Sequence, residues 1–173
     1  FIEHVGIPTL PAVRMAAEAL KELGMHREGV QLIVSGGIRS GADVAKAIAL
    51  GADAVSIGTA ALIALGDNNP DLEEEYNKLG TTAGFYDEWQ AGDDPAGITT
   101  QDEKLAARLD PKKGGEKLAN YLKVLTLEAQ TLARACGKSH IRNLEPEDLN
   151  ALTLEASAMA KVPLAGTDWI PGK

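Results

Sequence analysis

Two glycine-containing turns are the residues of this sequence best suited to bind a ligand. Gly36 and Gly37 end one short apolar run, and Gly58 with Thr59 ends another. A helical pattern follows each turn, so its backbone N–H groups would lie at the positive end of a helix dipole. Such N–H groups bind anions, and glycine allows close approach to the main chain. The two turns together predict a site for a phosphate monoester.

The elements that must position these turns form a strand, helix, strand, helix unit. The apolar runs 32–35 and 54–57 are typical of buried parallel strands. Between them, apolar residues recur at helical spacing up to Gly51, where a helix C-cap is expected. A right-handed crossover then places both glycine turns at the same end of the sheet. The plainer alternative, glycines that only make tight turns, stays open.

Charged and polar residues beside the first turn complete the candidate site. Ser35 ends the first strand, and Arg39 can approach a phosphate from the side. Asp43, in the first turn of the predicted helix, is better explained by a favourable interaction with the helix dipole. The predicted phosphate-binding residues are therefore Ser35, Gly36, Gly37, Arg39, Gly58 and Thr59.

The length of the chain limits the fold that it can form alone. In (β/α)8 barrels a phosphate site commonly follows the last two strands, and a complete barrel needs at least about 200 residues. This chain has 173 residues, and its first recognisable unit is already the end of such a barrel. We therefore expect an α/β fold, the C-terminal portion of a (β/α)8 barrel, that needs upstream sequence or a separate chain.

Charge and cysteine content exclude several classes of partner. The net charge of −8 and the lack of a Lys/Arg cluster argue against nucleic acid and anionic membranes. No apolar run is long enough to span a bilayer. A single cysteine, Cys136, excludes an intrachain disulfide framework and an all-cysteine metal cluster, and it favours a reducing cytoplasm.

A long irregular stretch from about 80 to 101 separates this unit from a helical C-terminus. Loops of this length in compact proteins are usually functional or linkers. Phe85, Tyr86 and Trp89 are concentrated here, which suggests a loop packed against something. His4 lies in a predicted loop near the start and is a weak candidate for a site role.

Two helices are predicted in the C-terminal region. One runs from about residue 115 to Gly137, with Cys136 on its apolar side, where a buried small hydrophobe is favoured over a reactive thiol. The second begins at Glu145 and Pro146, places Leu149, Leu152, Ala156 and Met159 inward, and ends before Pro163.

The residues around the glycine turns resemble a known family. The sequences SGGIRSGADVAKA from Ser35 and GTAALIA from Gly58 are similar to the FMN-phosphate end of the glutamate synthase FMN-binding domain. Inosine monophosphate dehydrogenases carry a similar first half. The resemblance implies FMN as cofactor and reductive amination of 2-oxoglutarate to glutamate, through 2-iminoglutarate. The resemblance also implies an oligomeric enzyme of nitrogen metabolism. Its substrate-binding groups would lie on earlier strands of the barrel.

A second motif supports the resemblance but lacks the cysteines of that family. DPAGITTQ, from Asp94, resembles the glutamate synthase segment Cys-Pro-x-Gly-x-x-x-Gln, which carries ligands of an iron–sulfur cluster. Trp89, Asp94 and Thr99 stand where that family has cysteines. Tryptophan cannot ligate iron and a cluster requires thiolates, so we predict no cluster or other metal in this loop. The cluster route for electrons into FMN is therefore in doubt.

The resemblance implies three regions along the chain. Residues 1–66 would be the end of the FMN barrel, 67–113 the former cluster loop with short helices, and 114–173 a helical extension. The extension is similar to that of glutamate synthase-like proteins, which include the large subunit of methylamine–glutamate N-methyltransferase. The function of that large subunit is therefore an alternative for this chain. A non-catalytic fragment or interaction module is the third alternative.

Overall fold

A computed structural model describes residues 6–26 and 29–172. His4 lies outside the described residues. The chain divides into two compact units, one formed by residues 1–57 with 125–173 and the other by residues 58–124. The long helix α6 contributes residues to both.

In the described residues, helices account for most of the regular structure, and two short strands complete it. The α-helices and strands are α1 Thr9–Glu22, β1 Ile33–Ser35, α2 Gly41–Ala49, β2 Ala54–Ser56, α3 Thr59–Leu65, α4 Glu73–Lys78, α5 Glu103–Ala106, α6 Pro111–Ala135 and α7 Leu154–Ala160. Short 3-10 turns lie at Pro70–Leu72, Trp89–Ala91, Ile141–Asn143 and Pro146–Asp148.

The two strands pair in parallel within the first unit. Val34 lies opposite Val55 and Ser35 opposite Ser56, with α2 as the connection between the strands. This confirms the predicted strand, helix, strand order. Val34 is buried against the helices, whereas its neighbour Ile33 is 64% exposed on the other face. The barrel itself stays a prediction.

Aliphatic and small residues from the helices close the core of the first unit. Alanines allow close contact where α1 meets the loop after α2: a Cβ on Gly51 would lie 2.5 Å from the Cβ of Ala17. The buried members of the main cluster are Val13, Val34, Ile38, Val44, Ala47, Ile48, Leu50, Ala52, Ala129, Ala151 and Val162.

Helix α6 begins earlier than the sequence predicts. Pro111 occupies its first position, where a missing N–H costs nothing. The Asp110 carboxylate accepts hydrogen bonds from the N–H groups of Lys112 and Lys113. In the part of the chain that the structure describes, no helix, α6 included, is both long and apolar enough to cross a membrane.

The prediction that Cys136 is buried is wrong. The helix ends at Ala135, and Cys136 is exposed, although Ala129 and Ala133 on the inward side are buried. Burial on this face of α6 therefore ends at Ala133, two residues before the helix ends.

The helix predicted from Glu145 to Pro163 forms only in its second half, as α7, and Leu149 and Ala156 pack partly buried against the core, as predicted. Only a 3-10 turn forms at Pro146–Asp148, closed by the Asp148 carboxylate, which accepts the Glu145 N–H. Ala151 then pairs with the backbone of residues 163–165. Its N–H donates to the Pro163 carbonyl, and its own carbonyl accepts the Ala165 N–H. Leu152 is consequently 88% exposed, and Met159, on the short helix α7, is 43% exposed.

Candidate functional site

The first glycine turn offers unused main-chain donors. Gly36 and Gly37 follow β1 with φ of +112° and +71°, a region that strongly favours glycine. Both residues are exposed. Within residues 6–26 and 29–172, their N–H groups donate no hydrogen bond. The turn therefore presents two adjacent N–H groups that a ligand can reach.

The helix after this turn begins with its donors already satisfied. Asp43 accepts the N–H groups of Arg39 and Ser40 at 3.0 and 3.1 Å, and the Ser40 hydroxyl accepts the Asp43 N–H. A carboxylate oxygen of Glu128, on α6, accepts the Gly41 N–H at 2.6 Å. The expected free helix N-terminus is therefore absent at α2, because two carboxylates occupy it.

The charge state of Asp43 follows from these bonds. Burial raises its pKa, but hydrogen bonds from the Arg39 N–H and the Ser40 hydroxyl, with the nearby Lys46 charge, outweigh burial and hold the pKa below the ordinary value. Asp43 is therefore ionised at neutral pH and complements the α2 dipole, as the sequence predicts.

The second glycine turn is bare by comparison. Gly58 precedes the first residue of α3, Thr59, and no side chain caps this helix. The Gly58 carbonyl accepts the N–H groups of Ala61 and Leu62. A Cβ on Gly58 would meet no atom within 4 Å, and Gly58 and Thr59 are exposed. Space next to the main chain is open here.

The six predicted site residues fall into two exposed segments. Ser35, Gly36, Gly37 and Arg39 belong to the first compact unit, and Gly58 and Thr59 open the second. Ser35 ends β1 opposite Ser56 in the sheet register. The backbone N–H of Arg39 serves α2 capping, and its side chain is exposed.

A buried polar network organises the second unit, and Asp94 is its main acceptor. Asp94 is fully buried. Its carboxylate accepts the N–H groups of Ala96, Ile98 and Thr99 and the hydroxyl of Tyr76, at distances of 2.9 to 3.2 Å. Four donors on one carboxylate fix the loop that follows it.

Asp67 and Trp89 form the other end of the network. The indole N–H of Trp89 donates to Asp67 at 2.9 Å, and the Asn68 N–H donates to both Asp67 and the Tyr76 oxygen. Burial is the main cause that raises the pKa of Asp67, and the negative charge of Asp94 adds to it, while the Trp89 bond opposes the rise. Burial also raises the pKa of Tyr76, so its hydroxyl stays protonated.

Asn68 ties a third segment to this network. Its φ of +56° is unusual for a residue with a side chain. The side-chain oxygen accepts the N–H groups of Gly84 and Tyr86, and its amide donates to the Tyr86 carbonyl. Tyr86 is buried as a result, whereas Phe85 is 79% exposed. The expected packed loop is therefore confirmed for Tyr86 and wrong for Phe85.

The side chains in this loop do not fit an iron–sulfur cluster. Trp89 and Asp94 are engaged with Asp67 and Tyr76, and the Thr99 hydroxyl is buried without a partner among the described residues. None of these groups is a thiolate. Over residues 6–26 and 29–172, no group of three or more His, Cys, Asp or Glu is placed to hold a metal ion.

Sequence reasoning missed the network and the Glu128 contact. No role was predicted from the sequence for the network residues Asp67, Asn68 and Tyr76, or for Glu128. A partial signal was available for the first group, because Asp-Asn-Asn-Pro clusters side chains that bind nearby backbone. No local pattern pairs Glu128 with Gly41.

Comparison with known proteins gives a family match over more than half of the chain. A family model described as "conserved region in glutamate synthase" matches residues 1–69 and 90–139. The unmatched segment between them contains Tyr76, Tyr86 and Trp89, which are the aromatic members of the buried network. No solved structure matches the chain.

Relatives cover the chain to different extents. A glutamate synthase large subunit-like protein of Rhizobium meliloti is 73% identical over 173 residues, which is 100% of this chain and 39% of the relative. An archaeal glutamate synthase (NADPH) of Methanocaldococcus jannaschii is 42% identical over 83% of this chain and 25% of its own length. Inosine-5'-monophosphate dehydrogenase of Thermoplasma acidophilum is 45% identical over 34% of this chain and 11% of its own. The chain thus spans well under half of these relatives.

Proposed function

Because the chain belongs to the glutamate synthase family, we propose that it is the C-terminal part of an FMN-binding (β/α)8 barrel that catalyses reductive amination of 2-oxoglutarate to glutamate. Glutamate synthases are oxidoreductases of nitrogen metabolism. The observation that carries the proposal is the first glycine turn, where the N–H groups of Gly36 and Gly37 are exposed and unused.

The residues of both turns fit a phosphate monoester. Gly36 and Gly37 offer two N–H groups, and Gly58 and Thr59 open an uncapped helix next to free space. The parallel pairing of β1 and β2 supports a shared role, since the chain leaves both strands at the same end of the sheet. The Ser35 hydroxyl and the Arg39 guanidinium complete the set of phosphate partners in this proposal.

The role of this chain in the reaction is to hold the cofactor. When bound, FMN supplies the hydride-transfer chemistry. The N–H groups of the two turns bind the phosphate and thereby anchor one end of the cofactor. The groups that bind the oxoacid lie, in this proposal, on barrel strands outside this chain, and no acid or base of this chain is assigned a catalytic role.

The sheet itself supports the view that further strands complete it. A parallel pair of three-residue strands is too small to be stable alone. Ile33 is 64% exposed on a sheet face that a barrel would enclose. The longer relatives, of which this chain spans 39% and 25%, are consistent with a larger protein or a partner chain supplying those strands.

Substituting Gly58 tests the phosphate site. In the full-length protein, Gly58→Val places a branched side chain where the free structure has no neighbour within 4 Å. We expect the fold to survive and the bound-flavin absorbance at equal FMN concentration to fall at least about tenfold. Gly115→Val is the matched control, because its Cβ also meets nothing within 4 Å. Full flavin occupancy in Gly58→Val would remove the phosphate-site assignment.

A second candidate function is formation of N-methylglutamate. The Trp89 and Asp94 network favours it, because this loop lacks the thiolates that a cluster-dependent synthase requires. Product analysis with methylamine or glutamine as the nitrogen donor separates the two candidates. Glutamate formed from glutamine supports the first, and N-methylglutamate formed from methylamine supports the second.

A further inference from the structure

The strongest unassigned contact near the candidate site joins α6 to the start of α2. The Glu128 carboxylate accepts the Gly41 N–H at 2.6 Å across 87 residues of sequence. Gly41 is buried against the backbone of α6: a Cβ added there would lie 2.5 Å from the Ala129 nitrogen and 2.6 Å from the Glu128 Cβ. The two helices therefore meet so closely at Gly41 that a side chain on this residue would not fit.

Together with Asp43, Glu128 occupies the last N–H donors of the first turn. Asp43 already accepts the N–H groups of Arg39 and Ser40, and Glu128 accepts the next one, from Gly41. Three successive N–H groups at the end of the turn are thus bound to carboxylates. A phosphate cannot share them, since it would displace an existing acceptor and meet like charge.

The same contact fixes the turn in space. The turn is anchored at its start by the pairing of β1 with β2 and at its end by Gly41 on Glu128. Gly36 and Gly37 lie between these anchors with positive φ and unused N–H groups. Loss of the Glu128 carboxylate would remove the hydrogen bond that ties the end of the turn to α6, and leave the local Ser40 and Asp43 cap and the packing of Ile38.

We propose that Glu128 is a positioning residue for cofactor phosphate: by binding the Gly41 N–H, it holds the turn so that Gly36 and Gly37, and not the start of α2, meet the phosphate. The inference rests on the proposed FMN function. It assigns a role in cofactor binding to α6, which lies far along the chain from the glycine turns. Glu128 itself does not touch the phosphate.

A pair of flavins separates this role from a general structural one. FMN and riboflavin share the ring system and differ in the phosphate, so their ratio of Kd values reports on the phosphate site alone. We would measure both Kd values by flavin fluorescence in the full-length protein and in its Glu128→Ala, Glu128→Gln and Glu128→Asp variants. Glu116→Ala, at an exposed glutamate of the same helix, is the control.

The expected result is selective loss of the phosphate contribution. Glu128→Ala should weaken FMN about tenfold, equivalent to about 1.4 kcal/mol, and leave riboflavin unchanged. Glu128→Gln should stay within about twofold of the wild type, because its amide oxygen can still accept the Gly41 N–H. Should Glu128→Ala fail to fold, the shorter Glu128→Asp should show the same selective loss to a smaller degree.

Two results would overturn the inference. One is a Glu128→Ala protein, or a Glu128→Asp protein if that alone folds, with the wild-type ratio of FMN to riboflavin affinity. The other is equal weakening of both flavins, which would indicate a purely structural role. A wild-type protein that does not prefer FMN to riboflavin would instead refute the proposed function, so the two failures are distinguishable.

Discussion

In both compact units, carboxylates accept backbone N–H groups and so hold a loop. The carboxylates lie near solvent in the first unit and are buried in the second. In the first unit, Asp43, which is half-buried, and Glu128, which is exposed, accept backbone N–H groups at the start of α2. In the second, Asp67 and Asp94 accept N–H groups while 2% and 0% exposed. Near solvent, water can replace a lost carboxylate, whereas a buried donor left unpaired costs its full desolvation energy. The difference predicts where a substitution unfolds the protein and where it only alters a site.

Removal of Asp94 should have the largest effect. Asp94→Ala leaves three backbone N–H groups and the Tyr76 hydroxyl without their acceptor in a buried site. We expect the free energy of unfolding to fall by about 4 kcal/mol in chemical denaturation. The neighbouring Asp93→Ala, at an exposed carboxylate, should change it by less than about 0.5 kcal/mol. Equal stability of the two variants would contradict the role given to the network.

The next effect concerns packing in the first unit. Gly41→Ala forces a methyl group against the Ala129 nitrogen, 2.5 Å away, and should cost about 2 to 3 kcal/mol. Gly115→Ala, inside α6 with open space around its Cβ, should stabilise by about 0.5 to 1 kcal/mol. Thermal unfolding checks the opposite signs. A Gly41→Ala protein as stable as Gly115→Ala would mean that α2 and α6 do not pack this closely.

A single bond of the buried network should have a smaller effect. Trp89→Phe keeps an aromatic ring but removes the N–H that Asp67 accepts, so we expect a loss of about 1 to 2 kcal/mol. Trp169→Phe is the control, since Trp169 is 53% exposed. Denaturant midpoints compare the two variants. Equal midpoints would show that the indole N–H adds nothing to the network.

The smallest effect is a difference in pH dependence between the units. The pKa of Asp67 is raised by burial, so the folded state keeps its proton longer, and its contribution to stability falls as pH rises above the unfolded value of about 3.9. The pKa of Asp43 is lowered on balance, so its contribution is present above that value and is lost as pH falls through the folded pKa.

The test compares Asp67→Asn and Asp43→Asn with the wild type in denaturation between pH 3 and 7, as an approximate working range. The deficit of Asp67→Asn should shrink as pH rises, and that of Asp43→Asn should shrink as pH falls. The same slope in both variants would show that burial does not set the two carboxyl groups apart.

Local patterns were sufficient for the elements around the first turn. Apolar runs ended by glycine predicted β1 and β2, and Ser40 with Asp43 gives α2 a start that a sequence pattern can identify. The positive φ of Gly36 and Gly37 agrees with glycine being placed there for its backbone freedom. These features depend on residues within a few positions of one another.

The features that the sequence did not predict depend on contacts between residues far apart in the chain. The apolar spacing after Glu145 resembles a helix, but the hydrogen bonds of Ala151 to Pro163 and Ala165 hold that segment extended. Cys136 continues the apolar face of Ala129 and Ala133, but unlike them it is exposed. Asp94 and Tyr76 are 18 residues apart and Glu128 and Gly41 are 87 apart, so no window of helical or strand periodicity relates them.

The separation of Glu128 from Gly41 also has a consequence for the order of folding during synthesis. The first unit is discontinuous, because its α2 is made before residues 58–124 and its share of α6 only after them, whereas residues 58–124 are contiguous. A chain emerging from a ribosome can therefore complete the second unit while the start of α2 still lacks its partner. The glycine turn, although made before the second unit, reaches its final state only after that unit has been made.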